Sequence, residues 1–263
     1  PHAPYDRIIL TVSAADIAPA WVDQLKENGR LLLPLALNGP QKSIAFKKEK
    51  RDGRLHTLSI ENCGFMPLRG TMANQKEQIF KLAESDNGEL SLLTHSSERF
   101  DVATLKEWFT QKPIVAPIPL TMSRLEGWSS FNLWLALHDP HVSTLYASGE
   151  WYHNPHIPAL YRFSQRPPHH TLAPGLATTT GLALLTTLGE DDTEQMQLAI
   201  SSYGERSLAL TLTDHLQAWH TAGRPQTSQL KITAHPRHLP LHSPQEGLLI
   251  NNPFTQLHIQ WQN

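Results

Sequence analysis

The sequence predicts an α/β protein: a β–α–β unit, an antiparallel hairpin, and then an α+β extension. Three observations carry this reading. Residues 5–35 run from a short apolar stretch through an amphipathic one to a second apolar stretch. Asp52-Gly53 lies between two extended segments, which is a strong hairpin signal. Past residue 100, helical stripes mix with period-two strands.

The first element is the run Ile8, Ile9, Leu10 and Val12, nearly continuous in apolar character, as in a parallel strand covered on both faces. Asp16 is placed as a helix N-cap, with Pro19 tolerated in the first turn. Ile17, Trp21 and Leu25 form one helical stripe, and Gly29 suits a left-handed C-cap. Leu31–Leu33 resume a strand that Pro34 is expected to break. The turn LNGPQ follows, then strands Ser43–Phe46 and Leu55–Ile60 around Asp52-Gly53.

Helices are expected over Gln75–Ala83, Val102–Gln111 (capped by Asp101), Ser129–Leu137 and Ser207–Thr221, the last closed by Gly223. The Pro-rich PIVAPIP separates the second helix from the third. His138–Pro174, rich in His and Pro, reads mostly as loop with one or two edge strands. Strands are expected at Gly181–Thr187, Met196–Ser202, Gln229–Ala234 and Thr255–Trp261. The tryptophans fall mostly on apolar stripes and are assigned to core packing.

The 263 residues suffice for one large or two ordinary domains, and the change of pattern divides them into 1–70 and 71–263. A formal charge of −2 and a pI near 6.8 offer no broad attraction to nucleic acid or an anionic membrane. No apolar run reaches the ~18 residues of a membrane span. Cys63 is the only cysteine, so no disulfide forms within the chain, which suits a reducing cytoplasm. Cys63 is read as a small buried hydrophobe. The pairs His138/His141, His153/His156 and His169/His170 lack the i, i+4 helical spacing of a zincin, so no metal site is assigned.

The pieces PYDRIILTVSAADIAPAWVDQLKENGRLLLPL and CGFMPLRG, in this order around a hairpin, resemble the protein-L-isoaspartate O-methyltransferase family. The resemblance covers residues 4–70, with Asn28 where the family usually has Gly; Asn tolerates the left-handed conformation. FNLWLALHDP, AWHTAGRP and LHIQW resemble a bacterial C-terminal extension of such proteins. The resemblance implies the C-terminal half of a Rossmann-like methyltransferase sheet, and the chemistry of a cytoplasmic, S-adenosylmethionine-dependent carboxyl methyltransferase. By the same resemblance, Thr11, Val12, Ser13 and Ala14 lie beside the cofactor, and Ala15, Pro67, Leu68 and Arg69 beside a peptide or protein substrate.

A carboxylate is already a nucleophile, so no catalytic base is assigned. The fold's Gly-rich cofactor turn has no counterpart here; GLATTTG at 175–181 comes nearest but precedes no helical pattern. With Pro1 in place of Met, this leads us to expect a longer product whose earlier half holds the cofactor. Repair of isoaspartate and tailoring of a natural-product peptide both remain open. A non-enzymatic module keeping half the fold is the other alternative, with a homodimer through the incomplete sheet edge.

Overall fold

The computed structural model describes residues 2–50, 52–70, 77–165, 167–189, 194–237 and 247–262. Its strands are β1 (Tyr5–Ile9), β2 (Leu25–Ala36), β3 (Gln41–Lys48), β4 (Leu55–Asn62), β5 (Gln78–Ser85), β6 (Gly88–Thr94), β7 (Ile114–Met122), β8 (Val142–Ser148), β9 (Tyr161–Phe163), β10 (His170–Ala177), β11 (Gly181–Thr187), β12 (Met196–Gly204), β13 (Leu230–Pro236), β14 (Leu248–Asn251) and β15 (Thr255–Trp261). Its α-helices are α1 (Pro19–Asp23), α2 (Val102–Trp108), α3 (Arg124–Glu126), α4 (Asn132–His138) and α5 (Ser207–Thr221). A π-helical turn, Gly127–Phe131, joins α3 to α4. No helix among the described residues is long and apolar enough to cross a membrane.

The chain divides into two units: Pro1–Asn74 with Pro225–Asn263, and Gln75–Arg224. This differs from the expected segments 1–70 and 71–263. The last strands return to the first unit because β13 pairs with β4 through Thr233↔His56 and Ala234↔Leu55.

In the first unit the sheet order is β1-β2-β3-β4-β13-β15-β14. β1 and β2 are parallel, β2–β3 and β3–β4 antiparallel, so the β–α–β unit and the hairpin stand as expected. At the hairpin, Gly53 takes φ 69° and Asp52 pairs with Arg54 at 2.6 Å. Side chains alternating along β2, β3, β13 and β15 bury Leu31, Leu33, Leu35, Ile44, Phe46, Ile232, Leu257 and Ile259.

Several local expectations fail here for physical reasons. α1 is a short helix because the chain from Leu25 onward is taken by β2, where Leu25 pairs with Tyr5 of β1. Its C-terminal end is held by the Lys48 ammonium, which donates to Val22 and Leu25 carbonyls at 2.7 and 3.0 Å. The left-handed residue is Asn28 (φ 59°), whereas at Gly29 a Cβ would meet Leu25 and the Lys26 carbonyl at 2.8 Å. Pro34 does not end β2: the adjoining loop uses only its carbonyl, which accepts from Ala14 N–H at 2.9 Å. β1 is largely exposed instead of covered on both faces, with Ile9 at 64%.

The second unit is an antiparallel sheet ordered β5-β6-β8-β10-β11-β12-β7, with β9 on β10. Its two faces bury separate clusters. Ala183 and Leu185 join Phe131, Leu135, Leu212, Leu216 and Trp219, from the α4 and α5 side. Leu182 and Leu184 join Leu105 of α2 with Leu90, Leu92 and Leu145. Asp101 caps α2 by accepting from Ala103 and Thr104 N–H, and α5 spans its expected residues.

The expected helix Gln75–Ala83 is strand β5 over its described part; Gln75 and Lys76 lie outside the described residues. Helix-forming residues yield there to pairing with β6, with Phe80 and Leu82 against the core and Ile79 exposed. His138–Pro174 is not mostly loop: β8 and β10 are interior strands of the sheet. PIVAPIP is β7 on the sheet edge, a position that tolerates proline. GLATTTG is the β10–β11 turn, and a Cβ on Gly175 would lie 2.0 Å from the Ala183 carbonyl. Trp128 is 46% exposed and not in the core.

Candidate functional site

The loop after β1 carries the residues that sequence reasoning singled out. Thr11 is exposed, Val12 and Ala15 are half-buried, and Ser13 and Ala14 are buried. The loop continues as two isolated parallel bridges, Ser13↔Pro67 and Ala14↔Leu35. Ser13 N–H donates to the Met66 carbonyl at 2.9 Å, and Leu68 N–H donates to the Ser13 carbonyl at 2.7 Å. On the other side Ala36 N–H donates to the Ala14 carbonyl at 2.9 Å. The structure thus brings Ser13 and Ala14 together with Pro67 and Leu68, while Thr11 and Arg69 are exposed.

The loop 63–68 is itself held by β3. The Gln41 carboxamide accepts from Phe65 N–H at 2.7 Å and donates to the Phe65 carbonyl at 3.1 Å, as a neighbouring strand would. Next to it the Lys42 ammonium donates to Asn62 Oδ1 and, at 3.1 Å, to Thr227 Oγ1. Burial pulls Lys42 down to about 8, against a smaller opposite effect of Cys63. Burial pushes the Cys63 thiol up, with Lys42 opposing, so the thiol form is favoured and the sulfur is a weak nucleophile.

Asp16 is not a helix cap. Its buried carboxylate accepts from Ile17 N–H at 2.7 Å, from Phe254 N–H at 2.6 Å and from the Thr255 hydroxyl. Asn252 Nδ2 donates to the Ala15 carbonyl at 3.2 Å. The β14–β15 turn therefore fastens the far end of the loop. Sequence reasoning missed Gln41, Asn252, Phe254 and Thr255, and no local signal marks them. Their partners lie 24 to 239 residues away along the chain.

Chemically, this arrangement can orient a ligand but offers little acid–base help. The Ser13 and Ala14 amides are spent on Met66 and Pro34, so they form no anion nest. The Asp16 carboxylate is fully engaged. What remains at the carboxyl end of the parallel pair is a backbone tied from three directions, which presents Thr11 and, in part, Val12 and Ala15.

The histidines serve other purposes. Asp139 Oδ1 faces His141 Nδ1, and Asp139 Oδ2 faces His215 Nε2, both at 3.0 Å. Burial pushes the Asp139 carboxyl up, but the bonds from His215 and His141 outweigh it and hold it below its ordinary value. His170 stacks on Phe163 with centroids 4.6 Å apart. Among the described residues, no group of three or more His, Cys, Asp or Glu is arranged to hold a metal ion.

Residues 1–73 match the family model of protein-L-isoaspartate(D-aspartate) O-methyltransferase. Protein-L-isoaspartate O-methyltransferase 2 of a Polaromonas species is 36% identical over 69 residues, 26% of this chain and 33% of that protein. The Pyrobaculum neutrophilum enzyme is 44% identical over 68 residues, 26% and 32%. The Methanoculleus marisnigri enzyme is 36% identical over 77 residues, 29% and 34%. The chain spans about a third of the length of these curated relatives. A solved protein-L-isoaspartate O-methyltransferase aligns with 98% of this chain and 55% of its own, at 16% identity and a TM-score of 0.32, a likeness that carries no argument. Both halves of the candidate site, the Thr11–Ala15 loop and Pro67–Arg69, fall inside the matched segment.

Proposed function

We propose that this chain contributes one wall of the active site of an S-adenosylmethionine-dependent carboxyl O-methyltransferase of the protein-L-isoaspartate type, acting in the cytoplasm on a peptide or protein carboxylate. The observation that carries the proposal is the Ser13–Pro67 bridge. It closes a small-residue loop at the carboxyl end of parallel strands, within the segment similar to those enzymes.

The residues present fit the methyl-bearing end of the cofactor and not its adenosine. Ser13 and Ala14 are buried and hold the loop, so the accessible side chains are those of Thr11, Val12 and Ala15, none larger than a branched three-carbon group, and a sulfonium and an acceptor oxygen could approach over them. Among the described residues no glycine-rich turn joins a parallel strand to a helix, so the adenosine and ribose would be held by residues outside this sequence. When bound, the cofactor supplies an electrophilic methyl group on sulfur. Thr11 and Val12 would line its methionine end, held there by the buried Ser13 and Ala14, and Ala15, Pro67, Leu68 and Arg69 would orient the substrate. Because the substrate carboxylate is itself the nucleophile, the cofactor would need only to supply the methyl group, and this wall's residues would orient the carboxylate without moving a proton. Rigid placement of the reacting atoms is then the main catalytic resource of this wall.

The test is transfer of labelled methyl from S-adenosylmethionine by the full-length protein to an isoaspartyl peptide, scored as base-labile methanol. An aspartyl peptide and candidate tailoring substrates serve as comparisons. Preference for the isoaspartyl peptide supports repair, preference for a dedicated precursor peptide supports tailoring, and no transfer to any of them sinks the proposal. A second reading rests on the exposure of β1, where Tyr5 and Ile9 are 38% and 64% accessible. In it the chain is a binding module whose sheet is completed by a second copy.

A further inference from the structure

We propose that Asp16 is a positioning residue through which the C-terminal hairpin β14–β15 sets the loop Thr11–Ala15, so that the hairpin belongs to the site although it lies outside the family-matched segment. The inference rests on the functional reading above.

The geometry is specific. One oxygen of Asp16 serves its own neighbour Ile17 and the Thr255 hydroxyl, and the other serves Phe254 N–H. Asn252 adds a bond to the Ala15 carbonyl at 3.2 Å. Asp16 and Thr255 are 4% and 1% exposed, so water does not compete for the bond between them. The loop residues between β1 and α1 are also anchored on β2, at Leu32 through Leu10 and at Leu35 through Ala14, and on Met66–Leu68 through Ser13. Met66–Leu68 grip Ser13 and β2 grips Leu10 and Ala14, and neither fixes the exit of the loop at residues 15–17. The hairpin does so. A shift of the hairpin would therefore be felt first at Ala15, which is placed beside the substrate, and next at Ser13–Ala14. A displacement of about 1 Å in a positioning group is enough to lower a rate about a hundredfold.

Two variants reach the link from opposite ends. Asp16→Asn keeps the shape but turns an amide N–H2 toward a donor, either Phe254 N–H or the Ile17 and Thr255 pair. Thr255→Val removes one donor on the hairpin, 239 residues away, and leaves the loop sequence intact. In the full-length protein both should lower kcat for methyl transfer to the isoaspartyl peptide, by about tenfold to a hundredfold. KM for the isoaspartyl peptide should rise more than KM for S-adenosylmethionine, because Ala15 is displaced first and the adenosine of the cofactor is held elsewhere. The double variant should be no worse than the weaker single, as expected for one shared interaction.

Amide hydrogen exchange at Ser13, Ala14 and Leu68 should quicken in both variants, which reports loop placement without any activity. Thr255→Val with parental kcat and parental exchange overturns the proposal. Loss of kcat that tracks only a lower melting temperature, and is recovered on cooling, also overturns it. Absence of methyl transfer in the parent protein sinks the functional reading alone, and the exchange data then still decide whether hairpin and loop are coupled.

Discussion

The Asp16 carboxylate receives the backbone amide of Phe254 at 2.6 Å across 238 residues of chain. This bond and its companion from Thr255 add a second link between residues brought into one unit by the β4–β13 pairing. Removing the acceptor leaves the Ile17 amide and the Thr255 hydroxyl, both on buried residues, without that partner, at about 1–3 kcal/mol for each group. Asp16→Ala should therefore destabilise the first unit by roughly 3 kcal/mol, read from denaturant unfolding monitored at its own amides. A change under about 0.5 kcal/mol, within the range of ordinary surface substitutions, would show that water replaces the carboxylate at no cost.

Lys42 makes a prediction of the opposite sense. Its ammonium is held at about 8 by burial, below the ordinary lysine value. The folded state therefore binds its proton less tightly than the unfolded chain does. The resulting penalty is fully present below about pH 8 and is relieved as pH rises toward the unfolded value of about 10.4. At about 1.4 kcal/mol per pKa unit the relief is on the order of 3 kcal/mol. Lys42→Met should abolish that rise in stability between pH 8 and 10, and it should not weaken the protein at pH 7. A parallel pH profile for parent and variant would contradict the assignment.

Asp139 gives the acid-side counterpart in the second unit. Burial raises its carboxyl, but hydrogen bonds from His215 and His141 prevail and lower it. For a carboxyl depressed in the fold, the stabilisation is full above the unfolded value of about 3.9 and is lost as pH falls through the folded value. Asp139→Asn should cost about 1–3 kcal/mol at pH 7, where the charged acceptor is lost, and much less at pH 3. Equal losses at both pH values would mean that Asp139 acts through shape and not through charge.

Much of this fold is legible locally. Asp101 caps α2, Gly53 turns the β3–β4 hairpin, and α5 and β15 occupy their expected residues, because each is decided by neighbours within a few positions. The misses share one cause. β5 reads as a helix by propensity and becomes a strand because β6 offers it a partner. β8 and β10 hide among histidines and prolines that read as loop, although their registers place them inside the sheet. The candidate loop and Pro67–Leu68 are singled out by the resemblance to the methyltransferase family. The fastenings of that loop are not: Gln41 reaches Phe65 and Asp16 reaches Thr255 only after the chain has returned.

Gln41 allows a test of loop rigidity separate from stability. Its carboxamide pairs with both backbone groups of Phe65 at an exposed position, so its loss costs little globally. Gln41→Glu keeps the acceptor for Phe65 N–H but sets a carboxylate against the Phe65 carbonyl. We expect faster amide exchange at Phe65 and Met66, with a change in global stability below about 1 kcal/mol. Unchanged exchange at Phe65 would show that the Ser13 bridge alone holds the loop.

The remaining prediction concerns β1. It pairs only with β2, in parallel, and its other edge carries backbone groups that no described strand satisfies. Ile9 on that strand is 64% exposed. An open, apolar edge is a template for another strand. The chain on its own should therefore self-associate through β1, and Ile9→Lys should return it to a monomer, as measured by sedimentation over a range of concentrations. Exchange at the β1 amides should slow as the dimer forms, while the interior strands β8, β10 and β11 of the second unit stay protected in both states. A chain that remains monomeric at every concentration, with β1 exchanging as fast as a loop, would remove the self-association reading and leave the edge for a different strand.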